Sequence, residues 1–187
     1  MDLASGQHLS YGQLEDGLAE VLGSPPDLGT VELIVRRPAV DECEVLDVGT
    51  LDPAWGLVGD TWRDRRARTP DGTPHPDTQL NVINARFARL VAVDPDRRAL
   101  AGDQLHLDLD LSEANLPTGT RLALGEAVIE VTAEPHTGCA KFSARFGRDA
   151  MKFANSPQGR ALRLRGLNAR VVVAGTVRAG DQVRKTN

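Results

Sequence analysis

The segment Gln104-Leu105-His106-Leu107-Asp108-Leu109-Asp110-Leu111 carries the clearest secondary-structure signal in the sequence. Apolar and polar residues alternate along it, and successive side chains of a β-strand point to opposite faces. The pattern therefore predicts a strand with one buried apolar face and one polar face. Two more strands are predicted after it, Arg121–Leu124 and Ala127–Thr132, because the Gly125-Glu126 pair between them is typical of a hairpin turn.

Further strands are predicted on both sides of this region, where β-branched and other apolar residues are concentrated. These segments are Thr30–Arg36, Glu42–Val48, Leu80–Ile83, Ala169–Ala174 and a short one at Gln182-Val183. Many short strands joined by glycine-containing turns favour a barrel or a sandwich. The predicted fold class is therefore mainly β, with a few short helices.

Two helices are predicted from the spacing of apolar residues. Ser10–Leu22 places leucine and valine side chains on one face, with its first residue as N-cap, and Gly23–Pro26 ends it. Ala85–Ala92 is the second, shorter helix. We therefore divide the chain into an N-terminal helical extension, residues 1–27, and a main domain, residues 28–187.

The composition is that of an ordinary globular chain, with 187 residues, 41% hydrophobic and 26% charged. The longest apolar stretches, such as Ala169–Thr176, fall short of the roughly 20 residues of a membrane-spanning helix. The first residues have neither the basic nor the apolar region of a signal peptide. Two cysteines cannot build a disulfide framework. These features predict a cytoplasmic, reduced domain with no membrane partner.

The net charge of −4 hides an asymmetry along the chain. Residues 140–187 hold 11 of the 22 basic residues and only two acidic ones, Asp149 and Asp181, so this segment carries +9. Such a split indicates an anion-binding surface, or else a solvated basic face. Nucleic acid is not an expected partner, because the chain is acidic overall and only five residues are Phe or Tyr.

The stretch from Asp60 to Gln79 is nearly all polar and contains Arg63, Arg65, Arg66 and Arg68. It is predicted to be a long loop, and loops of this length in a domain are either functional lids or surface segments. The two interpretations of the Arg63–Arg68 loop are a lid over an anionic ligand and a solvated surface loop.

Cys139 is the candidate reactive cysteine. The segment after it has helical spacing, with an apolar stripe of Phe142, Phe146, Ala150 and Phe153 and a basic stripe of Lys141, Arg145, Arg148 and Lys152. If this helix forms, Cys139 lies at its N-terminal end among positive charges, and both features stabilise a thiolate. A thiolate binds soft metals or attacks sulfur. The alternative is an idle cysteine, which is our interpretation of Cys43 in its alternating strand.

His136 precedes Cys139 by three residues, and such a pair could supply half of a zinc site. A structural zinc site needs four ligands, and the other cysteine and histidines are scattered, so we interpret His136 as a hydrogen-bond donor near the site or as a turn residue. The sequence contains no nucleophile elbow, no phosphate-binding loop and no dinucleotide fingerprint. Nothing in it therefore supports a serine hydrolase, a nucleotide hydrolase or a nicotinamide enzyme.

Several segments, taken in order, resemble the MOSC domain family, named after the C-terminal module of molybdenum-cofactor sulfurase. The segments are Gly56–Asp60, Leu116–Gly125, the single characteristic cysteine Cys139 followed by Arg145–Gly147, and the closing segments Arg165–Val171 and Gly175–Val183. The resemblance covers roughly residues 28–187.

This resemblance implies a β-barrel of the pyruvate-kinase β-barrel type and a role in molybdenum-cofactor chemistry. Members of the family bind the molybdenum–pterin cofactor and reduce N-hydroxylated compounds, or carry sulfur as a persulfide on the cysteine. Molybdenum-ion and pyridoxal phosphate binding are also associated with the family. In the first case Cys139 is the molybdenum ligand and catalytic residue. The candidate cofactor-binding residues are then Lys141, Arg145 and Arg170 for the phosphate, together with His136, Asn81 and Asp60.

Three hypotheses follow. A molybdenum-dependent oxidoreductase would need a separate electron-donor reductase, since the chain has no flavin, haem or iron–sulfur signature. A sulfur transferase would need a cysteine desulfurase as its partner. The third is a non-catalytic barrel that binds an anionic small molecule. Many relatives carry Gly-Glu-Asn-Leu where we align Leu105–Asp108, so contacts of that segment are not transferred to this chain.

Overall fold

Eleven strands dominate the computed structural model, which describes residues 6–64 and 69–186. They are β1 (Leu28–Arg36), β2 (Glu44–Leu46), β3 (Val48–Asp52), β4 (Gly56–Leu57), β5 (Leu80–Asn84), β6 (Leu105–Asp108), β7 (Arg121–Leu124), β8 (Ala127–Val131), β9 (Leu167–Val173), β10 (Gly175–Arg178) and β11 (Gln182–Thr186). The α-helices of the described residues are α1 (Tyr11–Leu22), α2 (Ala85–Ala92), α3 (Ala140–Phe146), α4 (Arg148–Ala154) and α5 (Pro157–Ala161). Short 3-10 helices are found at Thr61–Asp64, Pro76–Thr78 and Pro95–Ala101.

Seven of these strands close into a barrel. They follow one another around it in the order β1, β11, β7, β8, β9, β5 and β6, and β6 pairs again with β1. The pairing is antiparallel throughout, except between β5 and β6, which run parallel. Strand β2 extends one side of β1, while β3, β4 and β10 form a separate small sheet. The predicted mainly β fold, a barrel with a few short helices, is therefore confirmed.

Strand β6 departs from the predicted alternation between an apolar face and a polar face. Leu105 and Leu107 point into the barrel core, as the pattern predicts. His106 lies opposite Ile83 of β5, and Ile83 belongs to a second apolar core beneath the helices. His106 is therefore buried rather than exposed, because α2 and its neighbours cover this face of the barrel. The predicted alternation is present, but the outer face that it defines is buried at His106 and only partly exposed at Asp108.

The buried His106 should make the fold sensitive to mild acid. Burial lowers its pKa to about 4, against about 6.5 in an unfolded chain. Between these two values the unfolded chain binds more protons, so stability falls as the pH is lowered. We expect the free energy of unfolding to decrease by about 2–3 kcal/mol between pH 7 and pH 4.5.

Urea unfolding at several pH values, on the wild type and on His106→Leu, measures this effect. The variant should show a much flatter dependence over that range. His136, whose pKa is lowered by its burial and by the charge of Arg165, adds a remaining slope of the same sign. An unchanged slope in His106→Leu would contradict the assignment.

The helices cover one side of the barrel and share the second apolar core. Helix α1 packs against α2 and α4, and its buried residues Leu14 and Leu18 belong to that core. Ser10 caps α1 by accepting a hydrogen bond from the backbone of Gln13, whose side chain accepts one from the backbone of Ser10. The predicted first helix and its N-cap are confirmed. The boundary between residues 27 and 28 stays a prediction.

The helix predicted after Cys139 is interrupted at Gly147. Helix α3 ends there and α4 begins at the next residue, because Gly147 has φ +95 and ψ 159, which glycine adopts far more readily than other residues. The segment with helical spacing therefore forms two short helices rather than one. Its apolar stripe is nevertheless buried in full, since Phe142, Phe146, Ala150 and Phe153 all belong to the helical core.

The predicted strand Glu42–Val48 is in fact divided between two sheets. Its first half, β2, pairs with β1, and its last residue begins β3, which pairs with β10 and β4. The chain changes partners at Asp47, which no local pattern of alternation could reveal.

The predicted loop between Asp60 and Gln79 contains two of the 3-10 helices. Its Arg63 guanidinium lies 4.2 Å from the ring centroid of the exposed Trp55. Arg65, Arg66 and Arg68 lie outside the described residues, so the lid interpretation stays a prediction. Among the described helices, none is long and apolar enough to cross a membrane.

Candidate functional site

A cavity of about 540 Å³ lies where the turn after β1, the end of the Pro95–Ala101 helix and the N-terminal part of α3 meet. Five of the predicted site residues line it, which are Cys139, Lys141, Arg145, His136 and Asn81. Cavities of this size hold small-molecule and cofactor ligands in many proteins. The structure therefore brings most of the predicted site together in one place.

Cys139 lies at the N-cap position of α3, and its side chain is exposed at the cavity. The loop before it is fixed by Asn155, which accepts a hydrogen bond from the Gly138 backbone N–H at 2.8 Å and donates one to the Gly138 carbonyl at 3.1 Å. Because both backbone groups of Gly138 are held by one side chain, the position of Cys139 is set by α4 as well as by α3.

The cavity wall behind Cys139 is built around the fully buried carboxylate of Asp103. Arg165 donates to both of its oxygens at 2.8 and 2.7 Å, and His136 Nε2 lies 2.7 Å from Oδ1. Burial alone would raise the pKa of Asp103, but the charge of Arg165 and the hydrogen bonds from His136 and Arg165 outweigh it and hold the pKa below its ordinary value. Asp103 is therefore ionised and accepts all three hydrogen bonds.

This arrangement determines the tautomer of His136. An ionised Asp103 can only accept, so His136 carries its proton on Nε2, and Nδ1 is unprotonated when the ring is neutral. Burial and the charge of Arg165 lower the pKa of His136, which favours the neutral ring. His136 is thus a fixed imidazole with an open acceptor nitrogen, three residues before Cys139.

A second ion pair supports the opposite wall. Arg37 donates to both carboxylate oxygens of Asp60, at 2.7 and 2.8 Å, and its remaining amino group donates to Asn81 Oδ1 and to the Gly102 carbonyl, each at 2.8 Å. Asp60 itself is buried behind Arg37 and is not among the described residues that line the cavity. Its position therefore makes it a support for Arg37 rather than a direct ligand contact.

The third group of charges is Lys141, Arg145 and Asp41. The Asp41 carboxylate lies 2.7 Å from Lys141 Nζ and 3.2 Å from Arg145 Nη2. Arg145 is otherwise buried and donates to the Leu100 carbonyl at 2.8 Å. The predicted basic stripe is therefore not simply a solvated face, since Lys141 and Arg145 both belong to the cavity.

A comparison with known protein families bears on this geometry. The model of the MOSC domain matches residues 76–184, which is more than half of the chain. The chain belongs to the MOSC family. The match contains Cys139, His136 and Asp103, whereas Arg37, Asp41 and Asp60 lie before it. The resemblance inferred from the sequence is confirmed.

Solved structures share the fold of this MOSC protein. The YuaD protein from Bacillus subtilis has a TM-score of 0.63 at 16% identity, over 86% of this chain and 97% of YuaD. YiiM from Escherichia coli has a TM-score of 0.54 at 19% identity, over 84% of this chain and 70% of YiiM. YiiM from Geobacillus stearothermophilus has a TM-score of 0.54 at 13% identity, over 85% and 75% of the two chains. A comparison with curated protein sequences gave no significant match.

Arg170 of the MOSC protein lies away from the cavity. It is exposed on β9, where it pairs with Glu130 at 2.5 Å and with Asp77 at 3.3 Å. Its assignment to the cofactor phosphate therefore stays a prediction that the geometry does not support.

Sequence analysis missed the buried charged and amide groups of the site, because long-range contacts place them there. These residues are Arg37, Asp103, Gln104 and Arg165. The sequence contains a signal for Asp103 and Gln104. The segment Gly102-Asp103-Gln104-Leu105 has the same order of residue types, a glycine, an acid, an amide and a leucine, as Gly-Glu-Asn-Leu.

Cys43 also lines the cavity of the MOSC protein, although its strand pattern indicated a structural role. It is half-buried, and burial raises the pKa of its thiol. Within residues 6–64 and 69–186, no three His, Cys, Asp or Glu side chains are grouped as a metal site.

Proposed function

We propose that this MOSC protein binds the molybdenum–pterin cofactor in the Cys139 cavity and reduces N-hydroxylated compounds. One observation carries the proposal: a single exposed thiol and two cationic side chains, Lys141 and Arg145, open into the same cavity. A thiolate is a soft metal ligand, and ammonium and guanidinium groups bind phosphate. The donor set therefore fits a cofactor that carries both a metal and a phosphate.

Lys141 and Arg145 are better suited to a phosphate than the other two cations of the cavity. Arg37 and Arg165 each direct two hydrogen bonds at a buried carboxylate, so their charges are already balanced. Lys141 and Arg145 share one exposed carboxylate, that of Asp41. Between them they carry more donors than this carboxylate can accept, which leaves hydrogen bonds for a ligand.

The cofactor, when bound, would supply two-electron redox chemistry at molybdenum. The chain's own residues would have distinct tasks. Cys139 would ligate the metal, Lys141 and Arg145 would hold the phosphate, and Asn81 and Gly102 would be held in place by Arg37. His136, with Nδ1 free to take up a proton, would hold one beside the reacting group. The electrons would come from a separate reductase.

The exposure of Cys139 also favours a second candidate function, that of a persulfide carrier. An accessible thiol can accept a sulfur atom from a cysteine desulfurase and present it to an acceptor. This function needs no phosphate subsite, so the two candidates make different predictions for the metal content of the protein.

Molybdenum content is the measurement that tests the proposed function. We expect near-stoichiometric molybdenum by mass spectrometry in protein purified from a host that makes the cofactor. Cys139→Ala should lose the metal, because the thiolate with which the chain would hold it is gone. The matched control is Cys43→Ala, which removes the other cysteine of the same cavity and should keep the metal.

Absence of molybdenum from the wild type would contradict the proposal. An increase in intact mass of about 32 Da on Cys139 after incubation with a cysteine desulfurase would then identify the carrier function. If neither result is obtained, the remaining hypothesis is a non-catalytic barrel.

A further inference from the structure

The turn after β1 places a carboxylate inside the proposed phosphate subsite. Asp41 Oδ1 lies 2.7 Å from Lys141 Nζ and 3.2 Å from Arg145 Nη2, so one oxygen accepts from both cations. All three residues line the cavity. A phosphate oxygen that accepts from Lys141 Nζ and Arg145 Nη2 at the same time would have to take the place of this carboxylate oxygen.

Asp41 is held there by a turn of the chain and not by a packed element. Residues 38–42 are exposed, and Asp41 adopts the left-handed conformation with φ +63. Aspartate is one of the few residues other than glycine that adopts this conformation readily. The turn has a single backbone hydrogen bond that spans it, from the Glu42 N–H to the Ala39 carbonyl at 3.3 Å. Displacing Asp41 therefore requires little of the fold to change.

The two cations that pair with Asp41, Lys141 and Arg145, lie on helix α3 rather than on an exposed turn. Arg145 is buried and its second amino group is fixed on the Leu100 carbonyl, so the cation stays when the carboxylate leaves. Lys141 is on the first turn of α3. Arg145 is therefore the fixed part of the contact, whereas Asp41 lies on an exposed turn that an external ligand can displace.

We propose that Asp41 is a built-in competitor that occupies the phosphate subsite of Lys141 and Arg145 until an anionic ligand displaces it. This inference rests on the proposed anionic ligand, and it adds the regulation of the site. The turn at residues 38–42 is closed over the cations in the free protein and released when a phosphate ester binds. The affinity for phosphate is reduced by the fraction of molecules in which the subsite is already filled.

Binding of methyl phosphate, measured by calorimetry, tests this competition. The protein is prepared from a host that cannot make the cofactor, and the titration is done at about pH 8, where a phosphate monoester carries close to two charges. If about nine-tenths of the molecules are closed, Asp41→Asn should bind methyl phosphate about tenfold more tightly than the wild type.

Two further variants separate competition from a general change of charge. Glu42→Gln removes one negative charge from the same turn and the same cavity, but Glu42 has no ion pair with Lys141 or Arg145 among the described residues. The affinity of Glu42→Gln for methyl phosphate should stay within about twofold of the wild-type affinity when long-range electrostatic effects are screened at about 0.15 M salt. In Lys141→Met the gain from Asp41→Asn should disappear, because the shared subsite is lost.

Hydrogen exchange of the turn supplies the structural readout. In the wild type, methyl phosphate should speed the exchange of the Glu42 amide, because the turn is released. Any one of four results would overturn the inference. Asp41→Asn and the wild type could bind methyl phosphate equally well, or Asp41→Asn and Glu42→Gln could gain affinity equally. The turn could exchange more slowly when methyl phosphate is added, or no variant could bind methyl phosphate at all. None of these results depends on molybdenum content, which tests the proposed function separately.

Discussion

Asp103→Asn should destabilise the protein by about 3–5 kcal/mol, because it leaves the charge of Arg165 buried without a counter-ion. Asp103 is fully buried, and it accepts two hydrogen bonds from Arg165 and one from His136. An amide oxygen could keep one of these bonds, but it has no negative charge to balance the guanidinium. The free energy of unfolding in urea measures the loss.

The control for this effect is Asp108→Asn. Asp108 also binds an arginine through two hydrogen bonds, from Arg86 at 2.7 and 3.1 Å, but both side chains are more than a fifth exposed. We expect a loss of about 1 kcal/mol or less for this partly solvated pair. The double variant Asp103→Asn with Arg165→Met should recover part of the stability, since it removes the unpaired charge as well. Similar losses in Asp103→Asn and Asp108→Asn would show that burial does not decide the cost.

Gly166→Ala should be nearly as damaging, for a steric reason. Gly166 lies just before β9 with φ +107, and a Cβ atom there would lie 2.2 Å from the carbonyl oxygen of Val82 in β5. The clash is with backbone, so no side chain can move to relieve it. Added to the cost of a left-handed alanine, it should lower the free energy of unfolding by about 3 kcal/mol or more.

Gly180→Ala is the matched variant. Gly180 has φ +93, but an added Cβ would meet no described atom within 4 Å. Only the conformational cost remains, so we expect about 1 kcal/mol. Denaturant unfolding of both variants separates the two contributions. A loss in Gly166→Ala no greater than in Gly180→Ala would mean that β5 and β9 can move apart without penalty.

The parts of the fold that local chemistry determines could be predicted from the sequence. The hairpin of β7 and β8 follows from its glycine turn, and α1 follows from its capping residues and apolar spacing. The division of Glu42–Val48 between two sheets could not be predicted, since β2 forms a local hairpin with β1 whereas β3 pairs with β10, a strand that is distant in sequence. The burial of His106 was missed for the same reason.

The candidate site was likewise predictable only where its residues are close together in the sequence. Cys139, Lys141 and Arg145 are close in sequence, so one segment with helical spacing was enough to group them. Asp41 approaches Lys141 from 100 positions away, and Arg37 approaches Asn81 from 44 positions away. Composition showed that the last quarter of the chain is basic. It could not show which carboxylates from earlier in the chain pair with these basic side chains. The charged groups of the cavity are therefore brought into pairs only when the barrel closes.

The pairing of β1 with β11 also sets a condition on how the protein is made. Strand β1 leaves the ribosome before the other strands of the barrel, and its partner β11 follows only after about 150 more residues have been added. At typical rates of synthesis this interval is on the order of ten seconds. During that time the Leu28–Thr30 part of this edge of β1 has no partner, and open edges readily pair with other chains. A nascent chain that stalls before Gln182 would expose this edge together with that of β7, and aggregation would be its expected fate.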